Sequence, residues 1–317
     1  MNKRNLGKSG LTIAPLVLGG NVFGWTTDER QSSAILDAFV AAGFNCIDTA
    51  DIYASWAPGN KGGESETIIG KWLHASGKRG QVIIVTKVGM EMEPGMKGLS
   101  RSYITTEVEA SLKRLQTDYI DLYLSHLDDA AVPLEETLEA YSRLVEQGKV
   151  RAIGASNYKG ARLAQAIKIS RQHDWPQYQV LQPDYNLYDR ADYESDLEPV
   201  CVQQGLGVIT YYSLASGFLT GKYRSEQDLT KSPRGAAMKD RLNERGLRIL
   251  ATLDEIAAYL HATPAQVALA WLMARPSVTA PISSVTSVDQ LNELAKAVQL
   301  KLDQSALETL NTASAWT

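Results

Sequence analysis

The sequence is poor in cysteine, in long apolar runs and in surplus charge of either sign, and each shortage narrows what the chain does. Two cysteines in 317 residues, Cys46 and Cys201, are too few for a disulfide scaffold and lack the C-x-x-C spacing of a thiolate metal site. Both are expected as buried thiols in a reducing compartment, and no residue spacing marks a metal site. No apolar run reaches the 18 residues of a membrane span, and the charged start MNKRNLGKSGLTIAP is not followed by an apolar stretch of signal-peptide length. The expected location is therefore the cytoplasm, with no membrane partner. Lys and Arg total 32 against 36 Asp and Glu, a net charge of −4, so no basic excess serves a nucleic acid or an anionic bilayer. Small molecules are the expected partners. A G-x-G-x-x-G opening a helix after the first strand is also missing; Leu18-Gly19-Gly20-Asn21 comes nearest and is too short for a dinucleotide fingerprint. Internal repeats and low-complexity segments are absent.

What is present is the material of a large core: 44% hydrophobic and 21% charged residues, which excludes a disordered or fibrous chain. At about 150 residues per domain the length allows two domains, but α/β barrels commonly exceed that figure as one. Short runs rich in Val, Ile and Tyr at residues 16–18, 44–48, 82–87, 120–125, 151–155, 180–182, 207–211 and 278–282 read as eight strands. Between them, segments such as 30–42, 65–75, 104–115, 134–147 and 161–172 repeat apolar residues three or four apart, as amphipathic helices do. Gly43 and Gly148 follow two of these helices where a left-handed cap is expected. The alternation predicts an α/β fold, a (β/α)8 TIM barrel forming a single domain over 1–317. A turn at Lys8-Ser9-Gly10 predicts an N-terminal hairpin plugging the barrel bottom. A polar, glycine-containing segment at 217–240 and a C-terminal helix at 304–315 lie outside the eight units.

Barrels of this type carry their chemistry at the C-terminal ends of the strands. There the sequence places Asp48, with Tyr53 five residues on in DTADIY, then Lys87, then His126. Lys87 lies 39 residues after Asp48 and His126 39 after Lys87, one βα unit each, so the three occupy adjacent strands at one rim. Singly, an Asp there is ordinarily a cap, a Lys a solvated cation and a Tyr half-buried packing. One mouth holding an acid, a base and a phenol is harder to explain as packing. His126 follows an apolar strand, whereas His74, His173 and His261 lie in polar helix ends or loops. A phenol near pKa 10 donates its proton poorly at neutral pH unless a cation stabilises the phenolate. Lys87 offers that cation, Asp48 a counter-charge for Lys87, and His126 a hydrogen bond to a polarised oxygen; the set suits protonation of an alkoxide forming on a carbonyl carbon. Phe23, Trp25 and Trp56 are expected to line the substrate mouth and to favour an apolar or ring-shaped aldehyde or ketone.

At these residues the chain resembles the aldo-keto reductases. DTADIY, VTK, LYLSH, VRAIGASN, LQPDYNLYDR and YYSLASGFLTGKY follow that family's pattern in order, from about residue 6 to about residue 297. The resemblance implies a catalytic tetrad of Asp48, Tyr53, Lys87 and His126, with Tyr53 as general acid and hydride from a nicotinamide dinucleotide bound in extended form. It assigns the carboxamide to Ser156, Asn157 and Gln182, and ring stacking to Tyr212. It assigns the pyrophosphate to a covering loop after the seventh strand with Ser213, Leu214, Ser216, Gly217, Lys222 and Arg234. Gln290 and Glu293 match adenine contacts, with Ser284 and Thr286 toward the adenosine phosphate. Departures fall at this last end: Leu294 stands where Asn is usual, Ser283-Ser284 replace Pro-Gly or Pro-Lys, and Gln290 stands where some members have Arg. Asp128 likewise replaces a Pro after the tetrad His. Lys222 and Arg234 remain as cations for a 2′-phosphate, and NADP(H) is expected over NAD(H). Two other readings stay open: a barrel aldolase using Lys87 as Schiff-base nucleophile, and a non-catalytic NADP-binding regulatory subunit, since the chain also resembles the potassium-channel β-subunits.

Overall fold

The computed structural model describes residues 2–231 and 235–316. Two short strands, β1 (Arg4–Asn5) and β2 (Thr12–Ile13), pair antiparallel as the predicted hairpin. Its turn passes so close beneath the barrel that a side chain on Gly7, at φ +58°, would overlap the Gln179 carbonyl oxygen and the Gly207 nitrogen. Leu6, Leu11 and Ile13 thereby enter the barrel interior and close its lower end.

The chain then alternates as expected: β3 (Val17–Gly19), α1 (Glu29–Ala41), β4 (Cys46–Asp48), α2 (Glu64–Ser76), β5 (Ile83–Val88), α3 (Arg101–Leu115), β6 (Ile120–Ser125), α4 (Leu134–Glu146), β7 (Val150–Ser156), α5 (Gly160–Gln172), β8 (Tyr178–Gln182), α6 (Glu198–Gln204) and β9 (Gly207–Thr210). After three short 3-10 segments, Ala215–Thr220, Glu226–Lys231 and Gly235–Arg241, come α7 (Glu244–Tyr259), α8 (Pro264–Ala274), β10 (Ala280–Ser283), α9 (Val288–Ala295) and α10 (Gln304–Ala313). Strands β3 to β10 form a closed parallel barrel, with β10 pairing back onto β3 through Ile282 opposite Val17. This is the TIM barrel the alternation predicted. The predicted loop at 217–240 is largely helical turns, and the terminal helix stops two residues earlier than expected.

The period-two alternation of each strand sorts the core into two shells. Val17, Cys46, Val85, Leu122, Leu124, Val180, Ile209 and Ala280 point inward with the hairpin residues, while their neighbours Leu18, Ile47, Ile84, Tyr123, Leu181 and Val208 face the helices. Carried upward by two, the inward set reaches Asp48, Lys87, His126 and Gln182 at the upper rim, and Ser156 joins them four residues beyond inward Ala152. The helices begin where capping groups allow: Asp28 with Gln31 and Thr263 with Gln266 form capping boxes before α1 and α8, and Pro264 opens α8. Helices α2 and α3 meet at Gly70, where a methyl group would overlap the Arg114 carbonyl oxygen and the Leu115 backbone. Gly70→Ala, ordinarily helix-stabilising, is therefore expected to destabilise by about 1–3 kcal/mol, read as a lower urea midpoint at unchanged slope.

Candidate active site

Asp48, Lys87 and His126 converge because each sits at or just past an inward-facing strand end, on β4, β5 and β6. Lys87 is fully buried, and its Nζ donates to Asp48 Oδ2 at 2.8 Å, to the Thr49 carbonyl at 2.7 Å and to the Tyr53 hydroxyl at 2.8 Å. Three acceptors match the three N–H donors of an ammonium. The Tyr53 hydroxyl donates in turn to Asp48 Oδ2 at 3.2 Å, and Gln182 Nε2 donates to Asp48 Oδ1 at 2.7 Å. The buried carboxylate thus collects three donors from β5, the β4 loop and β8, which offsets the cost of burying its charge. Lys87 Nζ also lies 4.5 Å from the centre of the Tyr53 ring.

Burial, reinforced by the charge of Asp48, pushes the Tyr53 phenol well above its ordinary range and holds it protonated. Burial lowers the Lys87 ammonium, and the charge and hydrogen bond of Asp48 oppose that shift. Burial and the neighbouring Lys87 hold the His126 imidazole well below its ordinary pKa, so it is neutral near pH 7. The His126 backbone is fixed by its N–H on the Val88 carbonyl at 2.8 Å and by Asn157 Nδ2 on its own carbonyl at 2.9 Å. Its Nδ1 is buried yet has no hydrogen-bond partner among the described residues. A neutral imidazole beside a phenol can donate a hydrogen bond to a polarised oxygen.

Around the next strand ends, Ser156 Oγ donates to the Gln182 carbonyl at 2.9 Å and Asn157, at φ +54°, turns its amide inward. The aromatic reaching this cluster is Tyr211, whose hydroxyl donates to Asn157 Oδ1 at 2.7 Å. Tyr212, expected in that place, is instead 50% exposed at φ +49° and meets Tyr211 edge-on. The reason is parity: two residues beyond inward-facing Ile209 comes Tyr211, not Tyr212. A cavity of about 200 Å3 opens here between Asn157, Lys159, Asp184 and Tyr211. Burial, reinforced by Asp189, raises the Asp184 carboxyl to about 7.

The covering segment begins with Ala215, Ser216 and Gly217 all at positive φ, Ser213 Oγ on the Thr210 carbonyl, and Leu214 half-buried. Lys222 folds back toward Gly217. Arg234 lies outside the described residues. At the far end Thr286 donates from both its N–H and its hydroxyl to Gln290 Oε1 across the start of α9, and Ser284 donates to Asn21 Oδ1. Glu293 accepts from Thr263 on α8 at 3.1 Å. Asp128, the substituted proline position, forms an ion pair with Arg162 Nε at 3.0 Å.

Trp25, Trp56, Tyr53 and His126 form a chain of edge-on rings 5.9–6.0 Å apart, with Trp56 45% exposed. Asn60 Nδ2 fastens the two loops that carry the tryptophans by donating to the Gly24 and Ala54 carbonyls. Phe23 does not belong to this wall: it is fully buried in the outer core, because the chain turns at Gly20 and sends that ring down against the helices. Among the described residues no His, Cys, Asp or Glu group is placed to hold a metal, and no single helix is long and apolar enough to cross a membrane. Cys46 and Cys201 are buried free thiols.

Residues 15–315 match the family described as Aldo/keto reductase family. Among curated proteins the chain is 37% identical over 313 residues to the uncharacterized oxidoreductase YrpG of Bacillus subtilis, covering 96% of this chain and 94% of that one. It is 34% identical over 308 residues to a probable voltage-gated potassium channel subunit beta of Oryza sativa, covering 95% and 92%. It is 33% identical over 311 residues to the aldo-keto reductase YhdN of Bacillus subtilis, covering 96% and 89%.

Proposed function

This chain belongs to the aldo/keto reductase family and is an oxidoreductase of carbonyl compounds, and from that premise we propose that it reduces a small aldehyde or ketone with NADPH, using Tyr53 as the proton donor. The observation that carries the reading is Lys87 Nζ held 2.8 Å from both the Tyr53 hydroxyl and Asp48. When bound, the nicotinamide supplies a hydride to the carbonyl carbon. The protein's own part is the proton. Tyr53, held as a phenol, turns its proton from Asp48 to the carbonyl oxygen as charge develops there, and the resulting phenolate keeps the Lys87 ammonium as its partner. His126, neutral, holds the same oxygen by a hydrogen bond and fixes its direction. Asp48 keeps Lys87 charged and in place.

The residues fit a nicotinamide dinucleotide. Ser156, Asn157 and Gln182 offer both donors and acceptors, as a carboxamide requires, and Tyr211 presents a ring at the same point. The left-handed turn at 215–217 brings backbone and Lys222 together, a suitable seat for phosphate. Trp25 and Trp56 line the mouth with apolar ring faces and edges, which favours a ring-bearing or unsaturated carbonyl substrate. Lys222 and Arg234 favour the 2′-phosphorylated cofactor. The Schiff-base reading loses support, since all three donor directions of Lys87 Nζ are taken and an ammonium has no lone pair to attack with.

The test is oxidation of NADPH and of NADH, followed at fixed protein concentration, with a panel of aromatic and aliphatic aldehydes, ketones and sugars. Turnover with at least one carbonyl class and a kcat/KM higher for NADPH is expected. A clear preference for NADH would sink the cofactor assignment, and failure of every carbonyl with both cofactors would sink carbonyl reduction.

A further inference from the structure

Directly behind Lys87, on the outer face of β5, lies a buried ionic cluster that the reaction above does not use. Thr86 and Lys87 are consecutive in the strand, so when Lys87 points into the mouth Thr86 points into the layer between the barrel and helices α2 and α3. The Thr86 hydroxyl donates to Glu66 Oε1 at 2.5 Å, and Glu66 Oε2 accepts from Arg114 Nε at 2.6 Å. Arg114 Nη2 donates to Glu107 and, at 3.1 Å, to Ser111 Oγ. Glu66 is fully buried, Glu107 nearly so, and Thr86 fully buried. Gly63 allows the approach, since any side chain there would collide with the Arg114 side chain.

Two carboxyls, Glu66 and Glu107, share the single cation Arg114; burial raises the Glu107 carboxyl and Arg114 opposes that shift. Asp51 is also fully buried, and burial, then Glu66 and Glu107, push its carboxyl well up. Asp51 also ties the cluster to the site, because its N–H donates to the Lys87 carbonyl at 3.3 Å. A buried negative charge is costly unless it is set against a nearby cation. Across the strand stands Lys87, already paired with Asp48: burial lowers its ammonium, Asp48 opposes that shift first, and Asp51 and Glu66 add to the opposition.

We infer that Glu66, held by Arg114 and Thr86, is a positioning residue for Lys87: it fixes the end of β5 through Thr86 and keeps the ammonium charged while Tyr53 gives up its proton. The inference rests on the proton-donor reading of Tyr53. It has two separable parts. The charge of Glu66 acts through space on Lys87, and the Thr86 hydrogen bond acts through the strand.

The experiment compares wild type, Glu66→Gln, Glu66→Asp and Thr86→Val, with Tyr53→Phe as a reference, in the holoenzyme with NADPH. Circular dichroism and cofactor titration first establish folding and binding. Glu66→Gln keeps a side chain of the same size and removes the charge. It is expected to lower kcat on the order of tenfold with KM for the cofactor unchanged, and to move the alkaline fall of kcat/KM to lower pH by about one unit. Glu66→Asp keeps the charge and is expected to return that limb toward its original position. Thr86→Val is expected to lower kcat and leave the pH limb where it was. A merely structural role would lower all rates together without moving the limb. A folded Glu66→Gln with the wild-type pH profile overturns the charge part, and a Thr86→Val of wild-type kcat overturns the positioning part. Should Glu66→Gln fail to fold, the Glu66→Asp profile and the Thr86→Val rate decide in its place. If Tyr53→Phe keeps full turnover, the reading beneath has failed; if it loses turnover while the other variants behave as wild type, only this inference has.

Discussion

Exchange of Tyr53 for phenylalanine is expected to lower kcat for carbonyl reduction by about 10²–10⁴-fold, while cofactor affinity and fold are kept. The substitution removes one oxygen. The ring remains against Trp56 and His126, and Lys87 Nζ keeps Asp48 and the Thr49 carbonyl as acceptors, so the stability cost is about 1 kcal/mol. What is lost is the proton donor. The measurement is kcat and KM for substrate and cofactor, with cofactor affinity determined separately by titration. A Tyr53→Phe variant with unchanged turnover would take the proton-donor role away from Tyr53.

The pH profile separates Tyr53 from the other possible acid. His126 is pushed well below its ordinary pKa by burial and by Lys87, so an imidazolium donor would be scarce at pH 7 and reduction would fade as pH rises out of the acid range. Tyr53 is pushed well above its ordinary value, so reduction through the phenol stays level across neutral pH and falls only on the alkaline side. Alcohol oxidation, which needs the phenolate, should rise with pH instead. A reduction rate that has already fallen steeply on the acid side of neutrality would transfer the role to His126.

The barrel was legible because its signal repeats. Each strand is a short Val- and Ile-rich run, each is followed by a helix with apolar residues three or four apart, and eight such units have few other solutions. The convergence of three candidate site residues was legible for a related reason: Asp48 and Lys87 stand two residues beyond inward Cys46 and Val85, and His126 two beyond Leu124. The same parity also selects Tyr211, two beyond Ile209, over its neighbour Tyr212. Phe23 carries no such signal because the loop after β3 has no period, and nothing in Asn-Val-Phe-Gly says which way the chain turns. Glu66 and Arg114 are 48 residues apart and meet only in space. A trace of them was still present: Glu66 lies on the stripe of Ile69 and Leu73, and Glu107 on that of Ile104 and Ser111, charged residues where the helices face inward. Why a charge would be buried there depends on Lys87 behind the strand, which helix periodicity does not report.

Lys87→Met should produce the largest loss of stability among single changes at the site, about 3–5 kcal/mol in the free energy of unfolding. Methionine fills much of the lysine volume, so the cavity term is small. The loss comes from Asp48, about 1% exposed, which is left with its hydrogen bonds from Gln182 and Tyr53 but no cation. Chemical denaturation should show this as a lower midpoint at unchanged slope. Turnover should vanish as well, and that loss alone does not say whether the ammonium is needed for proton transfer or only for folding. The double variant Asp48→Asn with Lys87→Met makes the distinction. It removes both charges, and replacing a buried ion pair by neutral groups of similar size is often close to neutral for stability. The asparagine accepts from Gln182 through its amide oxygen and turns its Nδ2 toward the Tyr53 hydroxyl, which accepts where it formerly donated. Most of the stability is therefore expected to return while turnover does not, because the phenolate at Tyr53 then has no ammonium beside it. A double variant that regains activity along with stability would show that the Lys87 charge serves the fold and not the proton transfer.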